Sequence, residues 1–218
     1  MEGIFALYKP KGPTSNDVVM KIKKITGEKK VGHAGTLDPL SEGILVVGVG
    51  REATRKLFKE VRKEKEYEAV IKLGEVSTTG DQEGEKTKID FDQKPSQEQI
   101  EKVLKKFIGE IEQTPPLFSA VKVNGKEAYK RARKGEKFDL KSRRVLIKKI
   151  KLINYNWPEI KIQTITGTGV YIRSLAEDIG ESLKTGGYLK SLIRTRVGSY
   201  DISSSINVED VKKLSLKS

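Results

Sequence analysis

The chain has 218 residues, no cysteine, one histidine, and 43 Lys/Arg against 30 Asp/Glu, a formal net charge of +13. The missing cysteines exclude disulfides, thiol nucleophiles and zinc–thiolate sites, and a single imidazole argues against zinc held by several histidines. A positive excess of this size favours an anionic partner such as nucleic acid, and a chain of this length can bury a substantial core.

The segment "IFALY" (4–8) predicts a short buried strand, stopped by "KPKGP". The N-terminus has no basic region leading into a long apolar core, so no secretory signal is expected. From Ser15, the residues Val18, Val19, Ile22 and Ile25 recur at helical spacing, and Gly27 offers a C-terminal stop. A glycine-rich loop, "GHAGTLDPLSEG" (32–43), suits neither a regular helix nor a strand. "ILVVGV" (44–49) predicts a buried strand, too short to span a bilayer, so a cytoplasmic protein without membrane contact is expected.

"EATRKLFKEV" predicts a helix, "EYEAVIKLG" (66–74) an alternating strand, and "EVSTTGDQEGE" a polar loop. In "PSQEQIEKVLKKFIG", Ser96 and Gln99 make a capping box. Ile100, Val103, Leu104, Phe107 and Ile108 make the buried face, and Gly109 is the stop. Asn124-Gly125 signals a tight turn. "VLIKKIKLINY" and "IKIQTIT" read as paired strands, and "VYIRSLAEDIGESL" as an amphipathic helix ended by Gly186-Gly187. The tail "NVEDVKKLSL" reads as a last short helix capped by Asn207. Helices and strands are interspersed without a βαβ rhythm, which favours α+β in a single domain over residues 1–218.

Charge is concentrated. Residues 122–151 hold 13 Lys/Arg against Glu127, Glu136 and Asp139, a net of +10, which leaves +3 for the rest. Such clustering suits a phosphate backbone better than general solubility. Tyr129 lies among these charges, where it could stack on a base or be half-buried. In the loop at 32–43, Pro39 biases Asp38 towards an extended conformation, and Gly32, Gly35 and Gly43 permit close approach of a ligand.

Read as one string, "GHAGTLDPLSEGILVVGVGREATR" resembles the central motif of the TruB-type tRNA pseudouridine synthases. The likeness continues in order through "YKPKGPTSNDVV", "KEYEAVIKLGEVSTTGDQEG", "IEQTPPLFSAVKVNGKEAYKRARKG", "TGTGVYIRSLAEDIGESL" and "LKSLIRTRVGSY". Ser41 and Arg55 stand where the family usually has Ala and Lys. Many bacterial members carry a C-terminal RNA-binding (PUA) domain, and the chain is expected to be a short form without it.

The resemblance implies the pseudouridine synthase fold, a mixed, mainly antiparallel sheet flanked by helices and loops, with an RNA-gripping insertion at about 111–145. It implies isomerisation of the T-loop uridine at tRNA position 55, with no cofactor, no metal and no required protein partner. Asp38 is then the nucleophile or base, Arg173 its partner, and Tyr67 the ring stacked on uracil and possible acceptor of the C5 proton. Tyr171 and Leu192 close the pocket, Lys9 and Pro10 support the loop, and His33 stacks near the flipped nucleotides. Asp81, Lys130, Arg131, Arg133 and Lys134 complete the substrate-binding set. Two rivals are an RNA-binding chaperone or non-catalytic relative, and the guide-dependent branch of the same superfamily, which works with protein partners.

Overall fold

The computed structural model describes residues 2–211, so most of the tail helix expected from the sequence lies outside the described residues. The chain forms two compact units, one from the residues up to Glu68 together with those from Leu192 onward, the other from Ala69–Ser191.

The first unit opens with β1 (Gly3–Lys9), α1 (Ser15–Thr26), β2 (Val31–Ala34), β3 (Ser41–Val49) and α2 (Arg51–Val61). Strand β3 is its centre. It pairs antiparallel with β1 along its length and with β2 over Val46–Val49. Both of its faces are covered: Leu45, Val47 and Val49 pack with Val18, Val19 and Ile22 of α1, while Ile44 and Val46 pack with Leu57 of α2. This is why "ILVVGV" reads as an unbroken apolar run rather than an alternating one. Helix α1 is fixed at both ends. Thr14 and Asp17 form a capping box, and Gly27 takes the left-handed conformation (φ 71°), in which its N–H reaches the Lys23 carbonyl.

Strand β4 (Lys65–Leu73) follows, alternating as predicted between fully and partly buried residues. In the second unit, β5 (Glu75–Ser77) and β6 (Lys86–Lys88) form a small hairpin, followed by α3 (Gln97–Lys106) and β7 (Gly109–Gln113). Next come β8 (Lys122–Val123) and β9 (Lys126–Glu127), joined by Asn124 and Gly125 with φ of 53° and 80°, the tight turn the sequence signals. Helix α4 (Ala128–Ala132), β10 (Arg143–Asn156), β11 (Glu159–Thr166) and α5 (Ile172–Ser182) complete this unit. β10 pairs antiparallel with β11 and with β7, confirming the paired strands.

Strand β12 (Gly187–Val197) leads back to the first unit, where Leu192, Ile193 and Arg194 run parallel to Ser41, Glu42 and Gly43 of β3. β13 (Tyr200–Asp201) pairs with β12, and β14 (Ile206–Asn207) runs parallel to β1. The result is the expected mixed fold with mostly antiparallel pairing. Among the described residues, no helix is long and apolar enough to cross a membrane.

Several expectations need correction. The loop at 32–43 is not irregular throughout: Gly32 and His33 lie in β2, and Ser41–Gly43 open β3, so only residues 35–40 lack regular structure. The polar stretch after Gly74 starts as a strand, because Glu75 and Ser77 find Lys88 and Lys86 across the hairpin. Helix α3 ends at Lys106, so Ile108 leaves the buried face and is 48% exposed. Helix α5 ends at Ser182, ahead of Gly186-Gly187, because Lys184 turns left-handed (φ 60°). Asn207 stands at the start of a 3-10 turn, but its side chain makes no capping bond.

Candidate functional site

The loop carrying Asp38 joins β2 to β3 and is tied down along its backbone. Ser15, at the start of α1, donates through Oγ to the Leu37 carbonyl (2.9 Å) and accepts from the Leu37 N–H (2.8 Å). The Gly12 N–H donates to the Pro39 carbonyl (2.8 Å), and the Ser41 N–H to the Asp38 carbonyl (3.0 Å). The loop enters β3 through Gly43, at φ 106°, where an added Cβ would lie 2.2 Å from the Arg194 carbonyl oxygen. Only glycine permits that approach.

Two buried cations hold the same backbone. Lys9 is fully buried and donates to the carbonyls of Pro10 (2.9 Å) and Ser41 (2.6 Å). Burial pulls its pKa down to about 8, while the nearby Asp38 and Glu42 carboxylates act against that shift. Arg194 is 1% exposed and donates to the carbonyls of Ile44 (2.8 Å), Gly35 (3.0 Å) and Thr36 (3.4 Å). Burial holds this guanidinium below its ordinary value, and its electrostatic interaction with the nearby Tyr67 side chain opposes the shift. Tyr67 is itself buried on β4. Two residues before it, buried Lys65 donates to the carbonyls of Val61 and Lys63 (2.8 Å each), just past α2. Its pKa is also lowered to about 8, first by burial and then by Arg194.

Thus the first unit brings together Lys9, Asp38 and Tyr67, with Leu192 buried on β12 opposite Ser41 at the end of the loop. Arg194, bonded to the loop backbone, lies near the Tyr67 side chain. Neither Arg194, in the motif that also holds Leu192, nor Lys65 is among the site residues that the resemblance implies. A signal for both was present: each falls in phase with the buried residues of its strand. His33 stands on β2 opposite Val47 and is half-buried. Burial, then the charge of Arg194, lowers its pKa, and the Gly35 backbone acts the other way.

In the second unit, Arg173 lies in the first turn of α5 and is 6% exposed. It donates to the carbonyls of Phe118 (2.7 Å) and Thr79 (3.3 Å) and stands 3.7 Å from Asp81. Asp81 accepts from the Thr79 hydroxyl (2.6 Å) and the Glu83 N–H (3.0 Å). Glu177, one turn along α5, is pushed up to about 7 by burial and by Asp178 and Asp81, with Arg173 opposing. Tyr171 caps α5. Its N–H donates to the Gln113 side chain (2.8 Å), and the Arg143 guanidinium lies 5.1 Å from its ring.

The basic segment divides in two. Lys130 pairs with Glu127 (3.0 Å), and Arg131 with Glu136 (2.7 Å) while lying over Phe138. Arg133 and Lys134 are exposed and make no ion pair among the described residues. Tyr129 is half-buried, with Lys130 and Arg133 over its ring.

Comparison with known proteins returns one family along the chain. Residues 23–172 match the model for the N-terminal domain of TruB family pseudouridylate synthase, and residues 173–218 that for the tRNA pseudouridylate synthase B C-terminal domain. A tRNA pseudouridine synthase B of Prochlorococcus marinus (strain NATL1A) is 42% identical over 95% of this chain, which spans 66% of that protein. The protein of the same name from Phocaeicola vulgatus is 44% identical, over 92% of this chain and 88% of its own length. Among solved structures, a Cbf5-Nop10-Gar1 complex is similar with a TM-score of 0.75 and 31% identity, covering 97% of this chain and 54% of the matched one.

Proposed function

Because the chain belongs to the TruB family of pseudouridylate synthases, we propose that it is an isomerase converting the T-loop uridine of tRNA to pseudouridine. The observation that carries this reading is the fixed carboxylate loop: Asp38 stands on a backbone clamped by Lys9, Ser15 and Arg194. A group that must meet one ribose carbon needs that kind of preorganisation. The reaction breaks the N1–C1′ bond, turns the base and joins C5 to C1′, with the C5 proton moving to nitrogen. Nothing is oxidised or lost, and the chemistry needs no redox group or metal.

In this reading, Asp38 either attacks C1′ or removes the C2′ proton. Tyr67, buried on β4 near Arg194, offers its ring to the uracil and is the candidate acceptor of the C5 proton. Arg173 is the cation that the family resemblance assigns to the carboxylate, with Asp81 orienting it. Tyr171 and Leu192 enclose the base. His33 fills the space left when the nucleotide is extruded, a step costing a few kcal/mol. Arg133 and Lys134, exposed and without an ion pair among the described residues, meet phosphates. The enzyme works in the cytoplasm on free tRNA, without guide RNA or protein partner. Curated tRNA-acting relatives are 42–44% identical, against 31% for the Cbf5 complex.

The test is to incubate purified protein with an unmodified tRNA transcript and map pseudouridine by sequencing. One new pseudouridine in the T-loop is expected. Modification elsewhere only, or none until a guide RNA or protein is added, would overturn the reading.

A further inference from the structure

Beyond the loop, the first unit carries a basic groove that shares only His33 with the residues given a part in the reaction. It is an open cavity of about 500 Å³ between the end of α1, the β2 strand and α2. Lys23, Lys29 and Lys30 stand along it, no carboxylate lines it, and none of the three lysines makes an ion pair among the described residues. Its wall carries Phe58, a large aromatic left 56% exposed, with the Arg62 guanidinium 5.3 Å from the ring centre. At its inner end lies His33, whose Nδ1 is buried with no hydrogen-bond partner. Phe58 and the 40% exposed Val61 both line the groove, an apolar surface left open to solvent, and the uncompensated lysines around it point to an anion attached to a flat apolar group.

A nucleotide is such a ligand. Its base stacks on an aromatic face and its phosphates meet ammonium groups. The volume is within the range that small ligands fill. Position decides for RNA over an acidic peptide: β2 runs straight from His33 into the loop of Asp38, so a strand engaged by that loop continues over this groove. We propose that the groove is a second RNA-contact site, stacking one unpaired nucleotide near the modified uridine on Phe58, with the flanking phosphates on Lys29 and Lys30. This rests on the tRNA-modifying function proposed above and extends it outward from His33.

The experiment measures the affinity of the full chain for an unmodified tRNA transcript by filter binding, with pseudouridine formation by the wild type on the same RNA as a separate readout. Thermal melts check that each variant is folded. Phe58→Ala is expected to weaken binding roughly tenfold, the scale of one lost base stack. Phe58→Trp should restore affinity, with quenching of the new indole as RNA is added. Phe58→Leu, apolar but unable to stack, should behave like Ala. Lys29→Ala with Lys30→Ala should weaken binding and flatten its salt dependence. Wild-type affinity in Phe58→Ala or Phe58→Leu overturns the proposal, as does polyglutamate competing for the groove as well as RNA does. Absence of pseudouridine in the wild-type reaction would instead count against the functional reading.

Discussion

The loop around Asp38 and the segment around Arg133 both depend on cations, in opposite ways. Behind the loop, Lys9, Lys65 and Arg194 are withdrawn from water and donate to backbone carbonyls, holding geometry. In the basic segment, Arg133 and Lys134 stand in solvent and offer charge. A buried cation with several partners is costly to remove because those partners are left unpaired. An exposed one is worth little to the fold and contributes to RNA binding by releasing counterions. The same residue types therefore answer to different measurements: turnover and stability for the first group, affinity and its salt slope for the second.

The largest effect tests what the loop holds in place. Asp38→Asn keeps the shape and removes the carboxylate, so tritium release from C5-labelled uridine should fall at least a thousandfold, about 4 kcal/mol in barrier, while tRNA affinity survives. Turnover within tenfold of wild type would remove Asp38 from the reaction. Next, Arg194→Met leaves the buried carbonyls of Gly35, Thr36 and Ile44 without their donor. Unfolding in urea should show a loss of roughly 3 kcal/mol, and kcat should fall about a hundredfold through misplacement of Asp38, with a smaller change in KM. Unchanged kcat in a folded variant would mean that the clamp does not set the loop.

On the exposed side, replacing Lys130, Arg131, Arg133 and Lys134 together by Ala should weaken tRNA binding by about tenfold and reduce the salt slope, with stability hardly moved. The structure sharpens this. Arg133 and Lys134 should account for most of the slope, because Lys130 and Arg131 already face Glu127 and Glu136. Equal contributions from the two pairs would contradict that division.

The smallest effect concerns pH. Lys65 has a folded-state pKa lowered to about 8 from 10.5, so the folded protein gives up this proton more readily than the unfolded chain. Its burial opposes folding below about pH 8, and that opposition fades as pH rises towards the unfolded value. Wild type should gain stability relative to Lys65→Met between pH 8 and 10. A pH-independent difference in urea midpoint would show that Lys65 does not titrate in that window.

Much of this was legible in the residues. Ser96 with Gln99, the Asn124-Gly125 turn and the apolar run of β3 each carry a local physical signature, and the structure follows them. Asp38, Lys9, Tyr67 and Leu192 carry expected roles because each lies in its own stretch that resembles the family. Lys65 and Arg194 fall in phase with the buried residues of their strands, but phase alone does not license burying a charge. A cation in a strand is ordinarily solvated, and only the three-dimensional supply of carbonyls makes its burial tolerable. His33 was misplaced onto the irregular loop because β2 is four residues long and glycine-containing, too short for a period to show.

The contact at Gly43 also bears on how the enzyme can change over generations. With the Arg194 carbonyl 2.2 Å from where any Cβ would stand, two paired strands lie too close for a side chain at the point where the loop enters the sheet. In a library saturated across residues 35–43, exposed Thr36 should accept many residues and Gly43 none. Altered specificity must then arise from side chains hung on the loop or from its neighbours. Variation in its length at the β3 end is closed to selection as firmly as a change to Asp38 itself, although Gly43 takes no part in the chemistry.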